Sequence, residues 1–222
     1  MPTPVVIICT ILCTVLMLTL YIQRYIGMYR NTYEVNPLSP LSWAIGSAVG
    51  TVFLIISENF VLAGITVLSF SLQMTLFIWS TINTRHCSWC KWKVTPADFV
   101  CLGVVIVATA VYILTDNVNL GVAIMFVGWV FGEIPQLRKA YFAPQADSVQ
   151  FYLIPMVRNI FLFGTLTTIN FVGLMNTLYW VPVAVAEVVW IVYCKKRRGL
   201  TAQKQTARMP KTCGHGMTCA KT

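Results

Sequence analysis

Charge is what this chain has least of. Its 222 residues include 7 acidic and 16 basic ones, 10% in all, against 57% hydrophobic residues. Soluble domains carry about 25% charged residues, so the balance excludes an ordinary water-soluble fold and points to a lipid bilayer as the partner. The chain also lacks an Asn-x-Ser/Thr acceptor, a Gly-rich phosphate loop, a Ser/His/Asp set and any pair of closely spaced carboxylates. Those absences argue against N-glycosylation and against an enzyme, and nothing calls for a cofactor. The first segment, Met1 to Tyr21, has neither a basic leader nor a small-residue cleavage site. It is expected to be a retained first span rather than a cleaved signal.

Long apolar runs are abundant. A helix needs about 20 mainly apolar residues to cross the hydrocarbon core. Seven stretches qualify, at 4–22, 41–57, 60–82, 96–115, 118–135, 149–173 and 176–194. The expected fold is therefore an all-α membrane protein with seven transmembrane helices. Tight turns are predicted at Ser57-Glu58-Asn59 and Thr115-Asp116-Asn117.

The basic residues fall in alternate loops. Arg24 and Arg30 follow the first span; Arg85, Lys91 and Lys93 the third; Arg138 and Lys139 the fifth; eight more follow the seventh. The opposite loops carry only Glu58 and Asp116. Lys and Arg mark the cytosolic side, which puts the N-terminus outside or in a lumen and the C-terminus in the cytosol; plasma membrane and endomembrane are not distinguished. The net charge of +9 thus belongs to loops and a tail, not to a nucleic-acid-binding domain.

The chain also repeats itself. Gln23 and Gln136 each close a span that begins a triplet, each precedes a loop, and Ser39 and Ser148 stand before the next spans. Three helices return the chain to the wrong side for a same-sense copy, and one linking helix restores it. The expected organisation is a first three-helix repeat at 1–82, a loop and linker helix at 83–117, a second repeat at 118–194, and a basic, disordered tail at 195–222.

The run from Gly132 through Pro135-Gln136 to Tyr141, followed by Asp147-Ser148-Val149-Gln150-Phe151-Tyr152, resembles the PQ-loop, MtN3 and SWEET transporter superfamily. Phe163-Gly164-Thr165 and Gly173-Leu174 are similar to the second helix of that repeat. The resemblance implies a 3+1+3 bundle that carries a small polar solute, an amino acid or a sugar, by alternating access. It implies hinges at Pro135 and Pro155 and a gate at Gln23 and Gln136. Ile22 stands where the motif has Pro, and the Asn pair of the sugar-carrying members has no counterpart. A sorting receptor or accessory protein on the same scaffold is the alternative.

Charges inside spans are costly and mark functional sites. Three are expected: Glu133, Arg158 and Glu187. Arg158 and Glu187 lie near the middles of their spans and are expected to pair. Glu187 and Glu133 are the proton-coupling candidates, although Glu133 lies within a turn of its span's predicted end. Asn159, Trp190 and Gln73 are expected to join Arg158 and Glu187 in binding solute, while Trp180 reads as an interface anchor. Gly46-x-x-x-Gly50 and Gly128-x-x-x-Gly132 read as packing faces that also offer a homo-oligomer contact. No metal site is assigned, although His86, Cys87, Cys90, Cys213, His215 and Cys219 have ligating chemistry, and Cys194 sits where acylation occurs.

A tag after Thr222 should be labelled only in permeabilised cells, and a tag before Met1 from outside or from the lumen. Opposite labelling of either terminus would overturn the topology and the repeat.

Overall fold

A computed structural model of the chain describes residues 3–30, 33, 35–86, 94–115, 118–142 and 149–208. Within them the chain is helical and without strands. The helices are α1 (Thr3–Tyr29), α2 (Leu38–Ile56), α3 (Phe60–His86), α4 (Pro96–Leu114), α5 (Val118–Phe142), α6 (Gln150–Phe163), α7 (Phe171–Leu178) and α8 (Trp180–Arg208). Five helical segments among the described residues are long and apolar enough to cross a membrane: Thr3–Tyr29, Leu38–Ile56, Phe60–Ile82, Pro96–Leu114 and Phe171–Gly199.

Local chemistry sets the helix ends. Thr95, Pro96 and Asp98 build the start of α4: Asp98 Oδ2 accepts from Thr95 N at 2.8 Å, and Pro96 fills a position whose N–H would be orphaned. Asn36 Oδ1 accepts from Leu38 N at 3.1 Å ahead of α2. Pro40 falls in the first turn of α2, where it breaks no helical bond. The α2–α3 turn is as tight as expected. Glu58 N bonds Ile55 O at 3.1 Å and Asn59 N bonds Leu54 O at 2.8 Å, with Glu58 left-handed at φ 60°. That is a Schellman closure with glutamate in the place glycine usually takes.

Several boundaries differ from expectation. α1 runs to Tyr29 and α5 to Phe142, each seven residues beyond its predicted end. The predicted sixth span, 149–173, is instead α6, an irregular stretch at Gly164–Asn170, and the start of α7. α6 has 14 residues, about 21 Å at 1.5 Å per residue, and is too short to cross a bilayer alone. α7 and α8 nearly join; Pro182 cannot donate to Leu178 O, and the helix breaks at Tyr179. α8 continues helically to Arg208, where a disordered tail is expected from 195. The predicted turn at Asp116-Asn117, Ser148, and Cys87, Cys90, Cys213, His215 and Cys219 lie outside the described residues.

The bundle buries polar groups within its apolar core and exposes large apolar side chains. Asn36, Asn59, Glu133, Gln136, Asn159, Thr165 and Thr177 are buried, while Ile8, Ile11, Val100, Val107, Leu114 and Val189 are exposed. Water would drive the reverse arrangement. α1 packs on α3 and α6, α2 on α3 and α5, α4 on α5 and α2, and α8 on α6 and α5. The glycine patterns serve the α2–α5 contact. A Cβ on Gly46 would lie 1.7 Å from Trp129 Nε1, and one on Gly132 would lie 2.9 Å from Ser42 Cβ. These faces are filled within the chain.

One junction ties the two halves together. Asn-Phe-Val occurs at 59–61 and again at 170–172, each time at a helix start. The two asparagines meet. Asn170 Nδ2 donates to Ser57 O at 3.0 Å, Asn59 Oδ1 accepts from Thr168 N at 3.1 Å, and Asn59 Nδ2 reaches Asn170 Oδ1 at 3.5 Å. Thr167 Oγ1 adds a bond to Glu58 O at 3.0 Å. Asn59 is fully buried, so Asn59→Ala leaves Thr168 N without its acceptor and should lower stability by about 1–3 kcal/mol. Thermal unfolding in detergent checks this; a melt matching the parent would show that the junction carries no stability.

Candidate functional site

A cavity of about 120 Å³ lies in the middle of the bundle. Such a volume takes several waters or one small solute. Every helix but α4 and α7 supplies part of its lining: Tyr21 and Arg24 from α1, Trp43 and Ser47 from α2, Thr66, Ser69 and Gln73 from α3, Trp129 and Glu133 from α5, Pro155, Arg158 and Asn159 from α6, and Trp180 and Glu187 from α8. Helical spacing brings each set to one face: 66, 69 and 73; 129 and 133; 180, 184 and 187.

The first-triplet wall is a hydroxyl and amide network. Ser47 Oγ donates to Gln73 Oε1 at 2.9 Å, Gln73 Nε2 to Ser69 Oγ at 3.0 Å, and Thr51 and Thr66 hydroxyls meet at 2.8 Å. Gln73 thus lines the cavity as expected, through α2 and α3 together. The opposite wall is aromatic. Trp129 stacks on Trp180 at 5.3 Å and meets Phe126 edge-on at 4.9 Å; Tyr179 donates to Phe126 O at 3.1 Å. Trp180 is therefore a cavity residue, not an interface anchor.

The charged groups are arranged differently from the expected ion pair. Arg158 makes no salt bridge with Glu187; the described residues hold one salt bridge, Arg138 to Asp98 at 2.7 Å. Arg158 instead donates from Nε and Nη2 to Asn159 Oδ1, at 3.2 and 2.8 Å, and Asn159 Nδ2 donates to Trp180 O at 3.2 Å. An adjacent amide, fixed to α8, offers a closer acceptor than a carboxylate across the cavity. Glu187 shares the cavity wall with Glu133, and Trp43 and Arg24 line the same cavity. This is the carboxylate pair that sequence spacing hides, because its members lie 54 residues apart. Glu133 is buried, since α5 runs on past Pro135, and its Oε2 has no hydrogen-bond partner. Two adjacent carboxyls are satisfied by one shared proton or by a cation between them.

Arg24, expected in a loop, is instead 7% exposed on α1, between the rings of Tyr21 and Trp43. Lys139, also expected in a loop, is 1% exposed, over the Tyr33 ring. Both follow from the extra turns of α1 and α5. Trp190 does not reach the cavity; its Nε1 donates to Leu137 O at 2.9 Å and its ring stacks on Tyr141. Gln136 Oε1 accepts from Asn36 N at 3.1 Å and so ties α5 to the connection before α2. Gln23 Oε1 has no hydrogen-bond partner among the described residues. Pro155 lines the cavity; Pro135 is buried in α5 away from it. Cys194 is buried, which removes it from the acylation reading.

In double-mutant cycles read by thermal unfolding, Arg158 and Asn159 should couple by about 0.5–3 kcal/mol, and Arg158 and Glu187 by less than about 0.5 kcal/mol. Stronger coupling of Arg158 to Glu187 would restore the ion pair. Set beside family models, curated proteins and solved structures, the chain matches none of them, and the chemistry of this cavity is the guide to its function.

Proposed function

We propose that the protein is a seven-span transporter of a small zwitterionic solute, working by alternating access between two three-helix repeats, α1–α3 and α5–α8, joined by α4. The observation that carries this reading is the cavity. Two guanidinium and two carboxyl groups, with amide, hydroxyl and aromatic surfaces, converge in the middle of an apolar bundle. Charges are retained at such depth where they meet solute or protons.

Packing supports the repeat. Exchanging α1, α2 and α3 for α5, α6 and α7–α8 turns the main intertriplet contact into another: α1 on α6 becomes α5 on α2. The same exchange carries α1 on α3 into α5 on α8. Asn59 and Asn170 then occupy matching places and touch, as residues beside a pseudo-two-fold axis would. The short α6 spans with the help of Gly164–Asn170, whose irregular backbone lies at Thr165 and Leu166 inside protein rather than against lipid. The Asn59 junction closes the outer end. Pro135 and Pro155 provide bending points at the cytosolic end. The Glu133–Glu187 pair receives the solute's ammonium or a proton, which links uptake to a proton gradient.

Uptake of radiolabelled L-amino acids and sugars into proteoliposomes, with and without an imposed pH gradient, tests this. Uptake should be gradient-dependent. Glu187→Gln should slow it about tenfold, the equivalent of about 1.4 kcal/mol. The Pro135→Ala/Pro155→Ala protein should fold, since Ala is the better helix former, yet transport more slowly. A parent protein that binds solute without moving it would be a receptor on this scaffold.

A further inference from the structure

The two arginines of the cavity differ in how far they are already committed. Arg158 spends Nε and Nη2 on Asn159, and Asn159 is fixed to the Trp180 backbone. Arg24 is buried at 7% exposure, yet its Nε has no hydrogen-bond partner. Its Nη2 makes one long contact, 3.5 Å to Phe151 O. Its Cζ lies 5.7 Å from the Tyr21 ring centre and 5.4 Å from that of Trp43. These rings hold the guanidinium without using its N–H groups. No carboxylate lies within 4 Å of it among the described residues.

The Phe151 carbonyl is no ordinary acceptor. Its helical donor would be the N–H of residue 155, which is Pro155 and has none. Arg24 takes the place of that missing donor from another helix. Nε and Nη2 form one edge of the guanidinium, the edge that a carboxylate grips side-on with two parallel bonds. A carboxylate seated there would fill the empty Nε and compete for the Nη2 that now serves Phe151.

We propose that Arg24 is the anion-reading residue of the cavity: it binds the solute's carboxylate side-on and, in doing so, releases the Phe151 carbonyl that Pro155 leaves without a helical donor. This rests on the cavity being the solute site. Arg24 selects solutes with a carboxylate, and the Glu133–Glu187 pair takes the cationic end. Occupancy loosens the contact between α1 and α6 at the point where α6 is already missing a helical bond. Binding and bending are thereby coupled through one side chain.

The probes are the twenty common L-amino acids and their C-terminal carboxamides, read by thermal unfolding of the purified full-length protein in detergent. At least one amino acid should stabilise the parent while its carboxamide, equal in size but uncharged at that end, does not. Arg24→Gln should bind that acid at least about tenfold more weakly and treat acid and amide alike. Arg24→Lys, which keeps the charge and loses the fork, should retain a reduced preference; it also serves if Arg24→Gln does not fold. Arg158→Gln should leave the preference for acid over amide in place. The acid, and not the amide, should speed hydrogen exchange around residues 151–158 in the parent. The assignment is overturned if no acid is preferred over its amide, if Arg24→Gln keeps the preference, or if exchange in that segment is unmoved by the bound acid. Uptake is scored separately: preference lost in Arg24→Gln, with no uptake by the parent, would sink transport and leave the role of Arg24 standing.

Discussion

An ion cannot be left against lipid, and this bundle holds four ionisable groups at one place in its interior. Insertion of a charged side chain at the centre of a helix costs about 2.5–3.5 kcal/mol even on the mildest scales. Arg24, Glu133, Arg158 and Glu187 come from four different helices and line the same cavity. Much of the packing follows from that convergence. α2 must approach α5 closely enough for Gly46 to receive the Trp129 ring, and α6 must lean on α1 for Arg24 to reach Phe151. The outward faces are left with Ile, Val and Leu, which need nothing but an apolar neighbour.

Hydropathy is a property of single segments, and what depends on single segments was legible in the sequence. The five long apolar helices, the tight turn at Ser57–Asn59 and the cavity-lining polar positions Arg158, Asn159, Glu187 and Gln73 all follow from it. Partnerships across helices do not. Arg158 donates to Asn159, itself held by Trp180 O, rather than to Glu187, because an adjacent amide wins over a carboxylate on another helix. Counting Arg24 and Lys139 as loop charges hid them, since a tally of basic residues ignores the two further turns that α1 and α5 make. The missed residues still left a trace: Thr66, Ser69 and Gln73, or Trp129 and Glu133, recur at three- and four-residue spacing on otherwise apolar helices. The Asn-Phe-Val pair was also visible and is a sharper repeat signal than the shared glutamine.

In the proposed repeat the two triplets differ in chemistry. The first triplet contributes amides, hydroxyls and one guanidinium; the second contributes both carboxyls, both internal prolines and the stacked tryptophans. Gln136 makes its tie to Asn36, whereas Gln23, its counterpart by position, leaves Oε1 unpartnered. A symmetric bundle would bind a symmetric ligand. Both carboxyls come from the second triplet and one guanidinium from each, an asymmetry that the proposed zwitterionic solute would match.

The ends of the cavity are held by bonds that are individually small. At the Asn59 end, side-chain amides and hydroxyls bond carbonyls and an N–H that the helix termini leave open. At the other end, Arg24 bonds Phe151 O, Gln136 bonds Asn36 N, and the Tyr33 ring meets the Phe151 ring at 4.4 Å. A hydrogen bond of this kind contributes about 0.5–1.5 kcal/mol net, because water or another polar group replaces the lost partner. Closing both ends with interlocked aromatic surface would fix one conformation. A few directional bonds at each end would leave closed and opened arrangements close enough in energy for a solute to choose between them, as the proposed alternating access requires.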